Sequence, residues 1–106
     1  LKDFALWEIH EAFASAVLGI SRILNSSSLM ESKFGRYGLT ERLGEIPPDD
    51  LNPHGGAIAL GHPVGVSGLR LAMTSLFELK RRNAERAMIS ACVGGGQGVA
   101  MILERK

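Results

Sequence analysis

Apolar and polar residues follow two different periods along the first 24 positions of the chain. The short run Leu6–Ile9 is mostly apolar, which indicates a buried strand. From Glu11 onward, apolar side chains recur at helical spacing with alanines among them, so the pattern predicts a helix over about 11–24. This helix should stop at the polar cluster 25–28. His10 would then lie where a strand passes into a helix, and ligands bind at the carboxyl ends of strands in open α/β sheets.

The second half of the chain predicts one long helix and two strands. An apolar stripe indicates an amphipathic helix from about Val66 or Ser67 to Arg82, with Ser67 or a neighbour capping its first turn. The basic run 80–82 is typical of a last helical turn, where cations complement the helix dipole. The segments Ala87–Ala91 and Val99–Leu103 are apolar throughout, which predicts strands covered on both faces and joined by the turn 92–98.

The order of these elements predicts an α/β fold whose last two strands form a hairpin. Residues 26–53 show no sustained period, so we expect a long loop there in which short helical turns can form. A length of 106 residues suits one modest domain, and 45% hydrophobic with 22% charged residues is typical of a globular protein. The net charge of +1 gives no reason to expect nucleic acid or an anionic membrane as a partner.

The N-terminus and the cysteine content give weaker indications of where the protein is located and whether the chain is processed. No apolar stretch approaches the roughly 20 residues that cross a bilayer, and no signal peptide precedes the first strand. Because the chain begins with Leu1 rather than Met, we expect a fragment or a processed product. The single cysteine excludes an internal disulfide and fits a reducing compartment.

Two glycine-rich segments are the candidate sites of chemistry. The segment Asn52–Gly68 holds five glycines, two prolines and two histidines, and Cys92–Gly98 carries the only cysteine. So many glycines indicate positive φ angles or close approach to a ligand. His62, between Gly61 and Pro63, has little to pack against, which favours a functional role.

The other candidates leave alternatives open. His10 suits a cleft or the core, and His54 suits an exposed turn as well as it suits a site. Cys92 could be a small core residue, but its place at a strand end beside glycines favours chemistry. A zinc site is disfavoured because the spacings match no closed ligand pattern, and a phosphate loop lacks its Lys and Ser/Thr, so we expect no metal.

Three segments of the chain, His10–Ala14, Gly55–Pro63 and Cys92–Gly98, resemble in order the C-terminal signatures of thiolases. The resemblance extends from about residue 5 to residue 104. Most thiolases have Asn where His10 stands, and the histidine is similar to that of the thiolase subunit of the fatty-acid oxidation trifunctional complex. The resemblance implies a thiolase-like C-terminal half with helices layered around a mixed β-sheet ending in a hairpin.

The resemblance also implies a reaction and a set of roles. Thiolases cleave a 3-oxoacyl-CoA with a second CoA, giving acetyl-CoA and an acyl-CoA shortened by two carbons. By position, His62 would activate a nucleophilic thiol, Cys92 would act as general acid and base, and His10 would hold an oxyanion-hole water. The Gly94 N–H would serve a second oxyanion hole. Ala12 and Phe13 would line the acyl-CoA channel, and coenzyme A would be a substrate with no further cofactor.

The chain departs from the family in lacking the N-terminal half, with its nucleophilic cysteine and its CoA-phosphate loop. We therefore expect residues 1–106 to be an incomplete thiolase C-terminal domain, inactive alone. Its expected partners are acyl-CoA and CoA, the N-terminal half of the same enzyme, and either further copies or a β-oxidation hydratase/dehydrogenase subunit. The compartment stays open between a mitochondrion, another β-oxidation compartment and a bacterial cytoplasm.

Two alternatives compete with this interpretation. One is a non-catalytic thiolase-like module that binds acyl-CoA or serves in assembly, which His62 and Cys92 together disfavour. The other is a ketoacyl synthase, which is disfavoured because those enzymes have a second histidine where this chain has Cys92.

Overall fold

The structure, a computed structural model, describes all residues from Leu1 to Lys106. The chain folds into helices packed around a three-stranded mixed sheet with strand order β1-β2-β3. The elements in chain order are β1 (Leu6–Ile9), α1 (Ala14–Leu24), α2 (Ser27–Phe34), α3 (Ala57–Leu60), α4 (Ser67–Arg82), β2 (Arg86–Gly94) and β3 (Gln97–Glu104), with 3₁₀ turns at Gly35–Tyr37 and Pro48–Asp50. The α/β fold ending in a hairpin is as predicted. None of the helices combines the length and apolarity that crossing a membrane requires.

The central strand β2 pairs with β1 in parallel and with β3 in an antiparallel hairpin. A parallel pair needs a crossover connection, and the helices between Ile9 and Arg86 provide it. Alternate residues of β1 face opposite layers. Leu6 packs with Leu79 of α4, whereas Trp7 and Ile9 pack with Val17 of α1. The sheet therefore has α4 on one face and α1 on the other, which positions the end of β1 between two helical layers.

The hairpin is tighter than the sequence pattern predicted. Gly94 pairs with Gln97, so only Gly95 and Gly96 form the turn, with φ angles of +61° and +73°. Two-residue hairpin turns favour such left-handed residues, which glycine adopts without strain. Cys92 consequently lies inside β2, next to a bulge, rather than in a turn spanning 92–98. Backbone pairing continues beyond the apolar stretch, because a strand can extend through small residues that carry no hydrophobic signal.

The two hairpin strands, expected to be covered on both faces, are not fully covered within these 106 residues, and a cover supplied by the N-terminal half stays a prediction. Seven of the eight residues of β3 are exposed, and the last three residues of β2, ending at Gly94, are exposed as well. The reason is that α4 packs mainly against β1 and β2. The apolar character of β3 therefore has no counterpart within these 106 residues.

One helix boundary differs from the prediction, and the helix α2 was not predicted. The first helix begins at Ala14 rather than Glu11, because Phe13 is still extended, with φ −144° and ψ 145°. The polar cluster ends α1 as expected, but it also starts α2, where the Ser26 Oγ accepts a hydrogen bond from the Leu29 N–H (3.4 Å). The segment 26–53 therefore contains an eight-residue helix, which its weak apolar pattern did not predict.

Candidate active site

The candidate site forms where β1 and β2 end beside the first turn of α4. The His10 N–H donates to the Ser90 oxygen (2.8 Å), which extends the parallel pairing one residue beyond β1. The imidazoles of His10 and His62 lie with their ring centroids 4.3 Å apart. Both residues line an open cleft of about 680 Å³ together with Ala12, Cys92 and Gly94. Five of the six residues to which the resemblance gives a role thus meet in one cleft.

Phe13 lies on the edge of the site. Its side chain is 75% exposed and lines an adjoining cleft of about 460 Å³, which shares His10, Ala12 and Cys92 with the first. The walls of this second cleft are mostly apolar. Phe13 therefore lies on the His10 side of the site, and His62 does not line the second cleft.

The loop that carries His62 is held by hydrogen bonds at both ends. Gly61 adopts φ +86°, a conformation that favours glycine, and its oxygen accepts from Nη1 of Arg70 (2.7 Å). The Pro63 oxygen accepts from the N–H groups of Val66 and Ser67, both at 2.9 Å. The result is an exposed imidazole on a backbone that the start of α4 keeps in place.

Ser67 has a different role from the predicted helix cap. Val66 occupies the N-cap position of α4, and no side chain caps the helix there. The Ser67 Oγ lies 2.7 Å from Nδ1 of His62 and 3.2 Å from the Pro63 oxygen. The serine side chain is therefore directed back at the histidine loop instead of at the free N–H groups of the helix.

His10 is the buried member of the histidine pair, with 6% of its surface exposed. Its pKa is lowered, first by burial and then by the neighbouring His62 and Arg70, so the neutral imidazole is favoured at neutral pH. Its Nδ1 has no hydrogen-bond partner within the protein. A neutral ring with a free nitrogen can hold a water or a substrate oxygen, because imidazole both donates and accepts.

Cys92 presents an exposed thiol to the cleft. The Gly94 N–H, expected to serve an oxyanion hole, donates to Sγ of Cys92 (3.4 Å) in this structure. Gly94 has φ +85°, a left-handed conformation that favours glycine, and it lies at the bulge of the hairpin. The two residues thus form one local unit at the open end of the hairpin.

Sequence reasoning missed Asn52 and Glu11, two residues that join the His10 segment to the glycine-rich loop. Asn52 accepts from the Ile9 N–H (2.8 Å) and donates to the Ile9 oxygen (3.0 Å) and to Oε1 of Glu11 (3.3 Å). Oε2 of Glu11 accepts from the N–H of Ile58 in α3 (2.9 Å). Gly56 permits this approach, since a Cβ there would lie 2.3 Å from the Glu11 carboxylate. The only local signal was the Asn52-Pro53 turn; the partners are more than 40 residues away.

His54 belongs to an ion-pair cluster outside the cleft. Its Nε2 lies 2.7 Å from Oε2 of Glu78, a carboxylate with only 1% of its side chain exposed. Arg81 and Arg82 also bind Glu78, and Arg82 reaches Asp50. The hydrogen bonds from Arg81, followed by those from Arg82 and His54, hold the pKa of Glu78 well below its usual range despite burial. This cluster ties α4 to the loop before α3, and it gives the basic end of α4 a structural role.

No three His, Cys, Asp or Glu side chains are grouped in a way that would hold a metal ion. The arrangement at the cleft is that of an acid-base site: two adjacent imidazoles and a thiol, presented by three segments distant in sequence.

Comparison with known proteins identifies the family. The model of the thiolase C-terminal domain matches residues 1–105, and the chain belongs to that family. It is 41% identical over 104 residues to a probable 3-ketoacyl-CoA thiolase of Caenorhabditis elegans, covering 98% of this chain and 22% of the relative. It is also 45% identical over 108 residues to the 3-oxoadipyl-CoA/3-oxo-5,6-dehydrosuberyl-CoA thiolase of Escherichia coli K12, covering 99% of this chain and 22% of that protein.

Solved structures agree with this assignment. The crystal structure of human mitochondrial 3-ketoacyl-CoA thiolase superposes with a TM-score of 0.74 at 38% identity, covering 99% of this chain and 22% of the human chain. The same human enzyme is known in complex with CoA. The family and the thiolase-like fold inferred from three motifs are thereby confirmed, and the chain spans less than a quarter of the length of these relatives.

Proposed function

We propose that residues 1–106 are the C-terminal catalytic part of a longer thiolase, an acetyl-CoA C-acyltransferase of fatty-acid β-oxidation. The observation that carries the proposal is the convergence of His10, His62 and Cys92 on one cleft at the strand ends. Several similar proteins are named 3-ketoacyl-CoA thiolases, which supports the same reaction. The substrates would be a 3-oxoacyl-CoA and free CoA, and no other cofactor is needed by this chemistry.

His62 is assigned as the base that activates a nucleophilic cysteine supplied by the N-terminal part. The thiolate attacks the 3-oxo carbon, the bond between C2 and C3 breaks, and the electron pair stays on C2 as the enolate of acetyl-CoA. Cys92 gives its thiol proton to that carbon. The thiol of incoming CoA then displaces the acyl group from the cysteine, and its proton restores the protonated state of the site. The exposure of both His62 and Cys92 suits groups that must meet a substrate and another segment.

Oxyanion stabilisation is assigned to His62 and a water held by His10, with the Gly94 N–H serving a second oxyanion. The neutral, buried His10 with its free Nδ1 supports a water-holding role. Ala12 and Phe13 are assigned to the acyl channel, since they line the mostly apolar second cleft.

The proposed partner is the N-terminal part of the same enzyme. The exposed apolar strand β3 supports this proposal, because such a surface needs a cover. Assembly into a homo-oligomer, or with a β-oxidation hydratase/dehydrogenase subunit, is proposed on the likeness of His10 to the trifunctional-complex thiolase.

The experiment compares His62→Ala and Cys92→Ser in the full-length protein. His62→Ala should lower kcat by about 10²–10⁴-fold in both thiolysis and exchange, because the nucleophile loses its base and the enolate loses a donor. Cys92→Ser should keep the burst of acyl-enzyme but lose solvent-deuterium incorporation into acetyl-CoA, because a hydroxyl is far less acidic than a thiol.

The outcomes separate the enzyme from a binding module. More than a tenth of wild-type activity in His62→Ala would contradict the role of the histidine. Normal deuterium incorporation in Cys92→Ser would make Cys92 a packing residue. A wild-type protein that binds acyl-CoA without turnover would favour the non-catalytic module.

A further inference from the structure

We propose that Ser67 is a positioning residue that keeps the proton of neutral His62 on Nδ1 and so leaves Nε2 free to act as a base. This inference rests on the proposed function for the consequence in catalysis, but the tautomer itself can be measured without turnover.

The two contacts of the Ser67 hydroxyl determine which ring nitrogen of His62 carries the proton. Its Oγ lies 2.7 Å from Nδ1 of His62 and 3.2 Å from the Pro63 oxygen. A hydroxyl carries one proton, and a carbonyl oxygen only accepts. Both contacts are hydrogen bonds only if Ser67 donates to Pro63 and accepts from a proton on Nδ1. In the opposite arrangement, two oxygens would face each other with no proton between them, and Nε2 would carry the proton of the neutral ring.

Burial of Ser67 and hydrogen bonds to the neighbouring backbone oxygens hold the Ser67 hydroxyl between Pro63 and His62. Ser67 is 3% exposed, so water has little access to compete for its hydroxyl. The Pro63 oxygen is fixed by the N–H groups of Val66 and Ser67, and the Gly61 oxygen is fixed by Arg70. Histidine bases elsewhere rely on such a partner on the second ring nitrogen, which selects the tautomer and the ring orientation.

The position of Ser67 makes the idea testable by a single substitution. Because the serine side chain does not cap α4, removing its hydroxyl takes no hydrogen bond from the helix terminus. The substitution removes the contact with His62 and the 3.2 Å contact with the Pro63 oxygen, which keeps its hydrogen bonds from the Val66 and Ser67 N–H groups. Ser75 offers a matched control, since it is a fully buried serine on the same helix whose Oγ has no partner.

The experiment uses the full-length protein with Ser67→Ala, Ser67→Thr and Ser75→Ala. Ser67→Ala should reduce kcat about 10–100-fold, in the range seen when the partner of a functional histidine is removed, with a smaller change in KM. The pH profile for iodoacetamide alkylation of the nucleophilic cysteine should move to higher pH, because the thiol has lost part of its base. Ser67→Thr keeps the hydroxyl and should restore both kcat and the pH profile for alkylation. Ser75→Ala should change neither quantity.

Nitrogen-15 shifts of the His62 ring, assigned with a His62→Gln variant, test the tautomer independently. The wild type should carry the proton on Nδ1, and Ser67→Ala should show a mixture or the Nε2-protonated form. A wild-type ring protonated on Nε2, or a Ser67→Ala variant with an unchanged alkylation profile, would overturn the proposal. If the wild type instead shows the expected tautomer but no thiolysis, the proposed function fails and the role of Ser67 stands.

Discussion

The first and last strands of the sheet, β1 and β3, are both rich in apolar residues, but β1 is buried and β3 is exposed. All four residues of β1 are buried, whereas seven of the eight in β3 are exposed. β1 has α1 on one face and α4 on the other. β3 has no comparable cover within these residues. This chain therefore covers the β1 side of its sheet and leaves the β3 side open to a partner, which we propose to be the N-terminal part of the enzyme.

The ion pairs on the two sides of the sheet also differ in burial. On the covered side, Glu78 is buried and bound by Arg81, Arg82 and His54. At the hairpin, Arg86 and Glu104 form a pair in which each side chain is 48% exposed. An exposed pair contributes little to stability because water screens it, whereas breaking a buried pair leaves a charge without compensation.

The largest expected effect comes from separating the chain from its proposed partner. Residues 1–106 alone should expose far more apolar area than the few hundred Å² usual for a soluble monomer, because β3 is uncovered. We expect aggregation or a dynamic state that binds hydrophobic dyes, with no thiolysis. Size-exclusion chromatography and dye fluorescence would test this. A monomer with a sharp, cooperative unfolding transition would contradict the proposal, because the exposed strand β3 would then need no partner.

A second test concerns the ion pairs on the two sides of the sheet. Arg82→Ala in the full-length protein should lower the free energy of unfolding by about 3–5 kcal/mol, because Glu78 stays buried with fewer partners. Arg86→Ala is the matched control and should cost less than about 1 kcal/mol. Urea unfolding measures both. Equal losses in the free energy of unfolding would mean that the buried ion pairs of Glu78 stabilise the fold no more than the exposed pair of Arg86 and Glu104.

The smallest expected effect is a pH dependence from Glu8 in β1. Burial, with Glu11 and Glu78 nearby, raises its pKa from 4.5 to about 7, although His54 and Arg70 oppose the shift. The folded protein therefore holds a proton that the unfolded chain releases. The contribution of Glu8 to stability is therefore greatest below pH 4.5, declines up to about pH 7 and is constant above.

Glu8→Gln should remove this decline, which amounts to roughly 2–3 kcal/mol at neutral pH. Urea midpoints of the full-length protein between pH 4.5 and pH 8 measure the difference between wild type and variant. Parallel pH profiles would show that the covered side of the sheet does not hold a protonated carboxyl.

The elements that could be predicted are those whose signal is local. The bounds of β1 and the span Ser67–Arg82 follow from apolar periodicity, and both are as predicted. α2 was not predicted because its residues are mostly polar, and it depends on the Ser26 cap and on burial of Met30. The extension of β2 past Ala91 was missed because pairing with β3, not apolarity, carries the strand through Cys92.

Three motifs were enough to identify the family from the amino-acid sequence, because their residues can be recognised without knowing their spatial neighbours. The stiff Gly61-His62-Pro63 turn and the glycines beside Cys92 also pointed to these two residues, because both are features of consecutive positions, whereas Ala12 and Gly94 were named only through the resemblance. Only the tertiary structure decided that Ser67 bonds to His62 instead of capping α4. It alone linked Asn52 to Ile9 and Glu11 to Ile58, and it alone left β3 uncovered. These contacts join residues far apart in the chain, and their energies depend on which groups folding brings together and removes from water.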